Sequence, residues 1–129
     1  MDITVLLVDE SPSILKCLHH LLDGESGIHI VGESGGSPEA IKLMEELHPK
    51  IIVMDMNMPD GTADTTVQIK SHLRLQTSQL IATSAFVDAN VRKLARNWGA
   101  VRLIDKMRMA EELATTIREL AAQPIGSIN

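Results

Sequence analysis

Asp9, Glu10 and Asp55 are the residues of this chain best placed for chemistry, because each stands where an apolar run stops on a carboxylate. Ile51-Ile52-Val53-Met54 ends on Asp55, and Ile3-Thr4-Val5-Leu6-Leu7-Val8 runs into Asp9-Glu10. Such runs read as strands buried on both faces, as in parallel sheets covered by helices. Ligands of such sheets bind beyond the carboxyl ends of the strands, where these acids stand. Taken alone, Asp55 reads equally well as the cap of a turn leading to Pro59 and Gly61. The second acid-ended strand shifts the balance. If the two strands are neighbours, three carboxylates converge and repel by on the order of several kcal/mol. A divalent cation such as Mg²⁺ relieves this with oxygen ligands and leaves room for water and a phosphate oxygen. A proton held by one carboxylate, giving an acid/base pair, is the alternative. The metal ranks first, because three acids exceed what one shared proton relieves.

The elements that position these acids follow from periodicity. Strand-like and helix-like segments alternate five times, the pattern of an α/β fold with a parallel sheet. The first strand covers Ile3 to Val8. A helix then begins near Pro12, with Ser11 as its cap and Ile14, Leu15, Leu18, Leu21 and Leu22 at helical spacing, and ends at Asp23-Gly24. Ile28 to Val31 gives a second strand, and Ser37 opens a second helix with Ala40, Ile41, Leu43, Met44 and Leu47 on one face. Pro49 leads into the strand that ends at Asp55. A third helix is expected over Ala63 to Arg74, a fourth strand over Leu80 to Thr83, and a fourth helix from its cap Asp88 to Gly99. Val101 to Ile104 and Glu111 to Ala122 complete the set, and the tail from Gln123 to Asn129 breaks helix.

Composition narrows the function classes. At 129 residues with 44% hydrophobic content the chain is one globular domain with a real core. Its 12 basic and 17 acidic residues give a formal charge of −5, and no dense Lys/Arg cluster interrupts it, so nucleic acid and membrane surfaces are poor partners for this domain. No leader pattern or long apolar span is visible, which points to the cytoplasm. The lone Cys17 cannot form an internal disulfide and reads as a buried or half-buried structural thiol. His19, His20, His29, His48 and His72 lack metal-ligand spacing, and Met54, Met56 and Met58 read as packing residues. Trp98 reads as partly buried at a helix end.

At the ends of the last two strands stand a hydroxyl pair, Thr83-Ser84, and a cation, Lys106. Alone, Ser84 reads as a turn hydroxyl and Lys106 as a surface lysine. Together with the acids they are what phosphoryl transfer needs. A carboxylate attacking phosphorus gives an acyl phosphate, and the charge on the equatorial oxygens is stabilised by Mg²⁺, an ammonium group and a hydroxyl donor.

Val8-Asp9-Glu10, Met54-Asp55-Met56-Asn57-Met58-Pro59, Ser84-Ala85, Gly99-Ala100 and Lys106, in this order over nearly the whole chain, resemble the receiver domain of two-component response regulators. The resemblance implies a flavodoxin-like doubly wound sheet of five parallel strands in the order 2-1-3-4-5 with five helices, over residues 1–122, and a flexible tail or linker over 123–129. It implies that Asp55 accepts phosphate from a sensor histidine kinase. Asp9, Glu10 and Asp55 would hold Mg²⁺ with the Asn57 backbone carbonyl, Ser84 would bond a phosphoryl oxygen and draw its loop inward, and Lys106 would pair with another. Ile30-Val31-Gly32-Glu33-Ser34, Glu39-Ala40 and His48-Pro49 resemble the NarL/LuxR-type subgroup, which usually carries a helix-turn-helix DNA-binding domain. An output role in transcription, and a homodimer through the fourth helix, fifth strand and fifth helix, are implied in the same way.

Several residues depart from the family pattern. Glu10 stands where a second Asp is commoner, Ser84 replaces Thr, Met107 replaces the Pro behind a cis peptide, and Leu103 replaces a swinging aromatic. Phe86, two residues after Ser84, stands where its bulk would exclude the water that hydrolyses the acyl phosphate. Simple packing on the fourth helix is the plainer role. Two other classes stay open: a phosphorylation-independent interaction module, and an Mg²⁺-dependent phosphatase with an aspartyl nucleophile, for which Asn57 stands where a second Asp is usual.

Overall fold

The structure, a computed structural model, describes residues 2–58 and 63–123. Five parallel strands, β1 (Ile3–Val8), β2 (Ile28–Ser34), β3 (Ile51–Asp55), β4 (Gln79–Ser84) and β5 (Ala100–Asp105), form one sheet in the order β2-β1-β3-β4-β5. Between and after them run α1 (Pro12–Leu22), α2 (Ser37–Leu47), α3 (Ala63–Gln76), α4 (Ala89–Asn97) and α5 (Met109–Ala122). The flavodoxin-like doubly wound fold and its strand order are as expected.

Strand alternation sends side chains to two cores. Leu6, Val8, Ile52, Met54, Leu80 and Ala82 face one way, against Ala40 and Met44 of α2, Ile69 and Leu73 of α3, and Ala95 and Trp98 on the α4 side. Val5, Leu7, Ile51, Val53 and Ile81 face the other, against Leu18 and Leu22 of α1 and Leu113, Ile117 and Leu120 of α5. Each fully buried Leu, Ile or Met here contributes about 1.5–3 kcal/mol of transfer free energy. Met56 and Met58 are also buried in the first core, which confirms their packing role, and Trp98 is more deeply buried than expected.

The chain ends several elements by local chemistry. Ser11 accepts from the Ile14 N–H at 3.3 Å with Pro12 in the first turn of α1, and Asp88 accepts from the Val91 N–H at 2.8 Å at the start of α4. Gly99 follows α4 at φ 88°, a left-handed conformation that suits glycine.

Some boundaries differ from the sequence reading. β2 continues to Ser34 because Gly32, Glu33 and Ser34 still pair with Leu6, Leu7 and Val8 after a register shift between Val5 and Leu6. It is an edge strand, so its polar residues are tolerated. Ser37 opens α2 as expected, with Gly36 in the cap position. α5 starts earlier, at Met109, behind a 3₁₀ turn over Lys106–Arg108 (η1) whose Met107 N–H bonds to Asp105 Oδ1 at 2.9 Å. Cys17 is exposed rather than buried, because it lies off the Leu18–Leu22 stripe that α1 turns to the core. No cis peptide occurs among the described residues, Met107 included. The Pro59-to-Gly61 turn and the tail from Pro124 lie outside the described residues.

Candidate active site

The strand order itself makes the site. From β1 the chain moves outward to β2 and then returns past β1 to β3, so the connections leaving β1 and β3 run to opposite sides and open a crevice between them. Val8 pairs with Met54, which puts Asp9 and Asp55 side by side at the crevice. Ser84 pairs with Asp105 at the end of β4 and β5, and Lys106 follows immediately.

Lys106 joins the two acids. Its Nζ donates to Asp9 Oδ2 at 2.8 Å and lies 3.3 Å from Asp55 Oδ1. Asp9 and Asp55 are 1% and 4% exposed, and the Lys106 side chain is 15% exposed. Ion pairs this deeply placed gain strength from the low local dielectric, yet removing one partner of such a pair typically costs about 3–5 kcal/mol. Backbone donors hold both carboxylates as well: Ser11 N–H donates to Asp9 Oδ1 at 2.9 Å, and Asn57 N–H to Asp55 Oδ1, the oxygen facing Lys106, at 3.2 Å. Asp55 Oδ2 has no hydrogen-bond partner among the described residues.

The three-acid cluster expected from the sequence does not form. The Glu10 side chain is exposed, and no group of three His, Cys, Asp or Glu side chains able to hold a metal occurs among the described residues. The physical reason is that an ammonium, not a third carboxylate, sits between Asp9 and Asp55. With both carboxylates ionised, two negative charges face one positive charge, which leaves the buried site one unit negative. That residual charge on hard oxygen donors fits a divalent cation such as Mg²⁺.

Ser84 is buried at the site but its hydroxyl turns to its own loop. Its Oγ donates to the Phe86 carbonyl at 2.6 Å and accepts from the Phe86 N–H at 3.2 Å. Phe86 is 78% exposed, so it does not pack into α4. Beside Asp55 a cleft lined by Met56, Asn57, Ser84, Phe86 and Val91 opens between the ends of β3 and β4. Leu103 is partly buried and packs on the first core. Three histidines pair with carboxylates remote from the site: His19 with Glu33 at 2.7 Å, His72 with Glu45 at 3.1 Å and His29 with Asp2 at 3.2 Å. Sequence reasoning missed the Ser11 N–H, which ties Asp9 to the start of α1; the Asp-x-Ser-Pro spacing of a capped helix start was the available signal.

The family profile described as the response regulator receiver domain matches residues 5–118. The chain belongs to this family. Among curated relatives, protein-glutamate methylesterase/protein-glutamine glutaminase 1 of Syntrophus aciditrophicus is 34% identical over 112 residues, covering 84% of this chain and 31% of that protein. The response regulator protein VraR of Staphylococcus aureus is 34% identical over 120 residues, covering 92% of this chain and 56% of that protein. The chain thus spans about a third to somewhat over half of these relatives. Among solved structures, the response regulator domain of Thermotoga maritima CheB superposes with a TM-score of 0.79 at 26% identity, covering 96% of this chain and all of that one. The receiver domain of NarL from Mycobacterium tuberculosis does so at 0.81 and 17% identity, with 95% and 98% covered, a likeness that speaks for the fold. This is a two-component response regulator receiver. No helix of the receiver among the described residues is long and apolar enough to cross a membrane.

Proposed function

We propose that this receiver takes a phosphoryl group from a sensor histidine kinase onto Asp55 and thereby switches an output surface. The observation that carries this reading is Lys106 Nζ held between the buried carboxylates of Asp9 and Asp55, with Asp55 Oδ2 left unpartnered among the described residues. Asp55 Oδ2 attacks phosphorus, the phosphorus–nitrogen bond of the donor phosphohistidine breaks, and the imidazole nitrogen keeps that electron pair and gains a proton. Lys106 then turns from Asp55 to a phosphoryl oxygen, and Ser84 exchanges its bond to Phe86 for another. Asp9, Asp55 and the Asn57 carbonyl would hold Mg²⁺, with Glu10 joining by turning its exposed side chain inward. A bound ion would supply charge neutralisation for the phosphoryl oxygens.

Residues 1–122 would form the working unit, cytoplasmic, with 123–129 as tail or linker. The output surface would be α4, β5 and α5, serving transcriptional regulation through a DNA-binding domain elsewhere in the full-length protein. A second copy of the chain is the alternative occupant of that face. The methylesterase relatives favour a second reading, in which the receiver gates an attached enzyme instead of a DNA-binding domain.

Intact mass after incubation with acetyl phosphate and Mg²⁺ tests the core of the proposal. A metal-dependent gain of one phosphoryl group, lost in Asp55→Asn, supports it. No adduct, in a protein that also fails to bind beryllofluoride, overturns it in favour of a phosphorylation-independent interaction module.

A further inference from the structure

Arg92 and Arg96 lie one helical turn apart on α4, and Arg102 stands on the neighbouring strand β5. The three arginines line one open cavity with Ala95, Val101 and Leu103. All three are exposed, in a chain whose net charge is −5. Two of the other arginines find acids: Arg108 pairs with Glu111 at 3.3 Å and Glu112 at 3.1 Å, and Arg118 with Glu25 at 2.7 Å, while Arg74 on α3 stands apart from this face. Among the described residues, no carboxylate lies within ion-pair distance of Arg92, Arg96 or Arg102. The Arg102 guanidinium instead donates to the Val101 carbonyl at 2.9 Å, which holds it along the outer edge of β5.

Three uncompensated guanidinium groups around one cavity repel one another, and an anionic occupant removes that cost. Guanidinium forks match carboxylates in bidentate geometry. Ala95, Val101 and Leu103 add apolar surface to the cavity, with Val101 45% exposed, and the adjoining Leu94 is 41% exposed. Charge and apolar surface together suit a peptide carrying both acidic and aliphatic side chains. Nucleic acid suits the site less well, because the rest of the domain is acidic and the patch presents no exposed aromatic ring for stacking. A second copy is disfavoured too. In a two-fold interface these arginines would need carboxylates from the same face of the mate, and Glu111 and Glu112, the α5 acids nearest in sequence, are already paired with Arg108.

We propose that the α4–β5 face of this receiver docks an acidic segment of a partner protein, with Arg92, Arg96 and Arg102 receiving its carboxylates and Val101 and Leu103 an aliphatic anchor. The inference deepens the proposed function by stating the chemistry of what the output face binds.

The test is selection from a library of random short peptides displayed on phage, against the full chain and against its Arg96→Glu/Arg102→Glu variant. Both side chains are exposed, and circular dichroism together with acetyl phosphate labelling of Asp55 establishes that the variant folds and keeps its site. Peptides enriched in Asp and Glu with an aliphatic residue are expected, and their synthetic versions should bind the variant about tenfold or more weakly. The inference is overturned by no enrichment, by enrichment without acidic bias, or by equal binding to both proteins. It is overturned equally if a short duplex DNA binds this face more tightly than the selected peptides, or if sedimentation reveals a dimer that the same variant abolishes. Failure of Asp55 labelling in the native protein sinks the phosphoacceptor reading instead, and the two outcomes are read separately.

Discussion

Ser84 Oγ both donates to the Phe86 carbonyl and accepts from the Phe86 N–H, at 2.6 and 3.2 Å. One hydroxyl thus holds the turn that carries the exposed Phe86. A hydroxyl has one proton to donate, so Ser84 cannot bond a phosphoryl oxygen without releasing the Phe86 carbonyl. Under the proposed phosphorylation, the site and the β4–α4 loop would be coupled by this exchange of partners. Upon beryllofluoride binding, the Phe86 amide resonance should therefore shift in the native protein and in Ser84→Thr, and stay in place in Ser84→Ala. A shift of equal size in Ser84→Ala would mean that the loop is moved by something else.

Phe86 is mostly exposed yet lines the cleft beside Asp55, so its ring can cover the water's approach without packing elsewhere. Phe86→Glu exchanges that apolar cover for a group that attracts water. The acyl phosphate should hydrolyse faster by about twofold to tenfold, equivalent to about 0.4–1.4 kcal/mol of barrier. The decay of the phosphorylated mass peak measures it, and an unchanged lifetime would dispose of the shielding role.

Much of this was legible in the sequence for a physical reason. β1 and β3 are buried on both faces, so their residues are almost wholly apolar and their ends at Asp9 and Asp55 are plain, while β4 carries Gln79, Thr83 and Ser84 and runs one residue past each expected end. The edge strand β2 is not: its Gly32-Glu33-Ser34 end is held by backbone pairing, which polarity patterns do not report. The same distinction runs through the site. Residue types brought Asp9, Asp55, Ser84 and Lys106 to one crevice, but side-chain direction decided that Lys106 bridges the acids, that Glu10 points to solvent and that Ser84 turns to Phe86. The exposure of Cys17 was harder to read, since it stands only about 40° around the helix from Leu21, at the margin of the apolar stripe.

The core carries an ordinary stability expectation. Leu7 is fully buried between the sheet and the α1/α5 layer. Leu7→Ala should lower the unfolding free energy by about 2–5 kcal/mol, as seen in urea denaturation. A loss below about 1 kcal/mol would mean that this side of the sheet collapses into the space.

The acid pair and Lys106 make opposite predictions for two substitutions. Asp55→Asn leaves the neutral Asp9–Lys106 pair, 2.8 Å apart, and removes the carboxylate repulsion, so stability should hold or rise by on the order of 1 kcal/mol. Lys106→Met instead leaves two buried carboxylates without their cation, and a loss of about 3–5 kcal/mol is expected in the absence of metal. A divalent cation binding only the folded state restores stability in proportion to its occupancy. Millimolar Mg²⁺ should therefore raise the urea midpoint of Lys106→Met more than that of the native protein, and that of Asp55→Asn least, because the net charge left at the site falls in that order. If Mg²⁺ moves all three midpoints alike, Asp9 and Asp55 do not hold the ion.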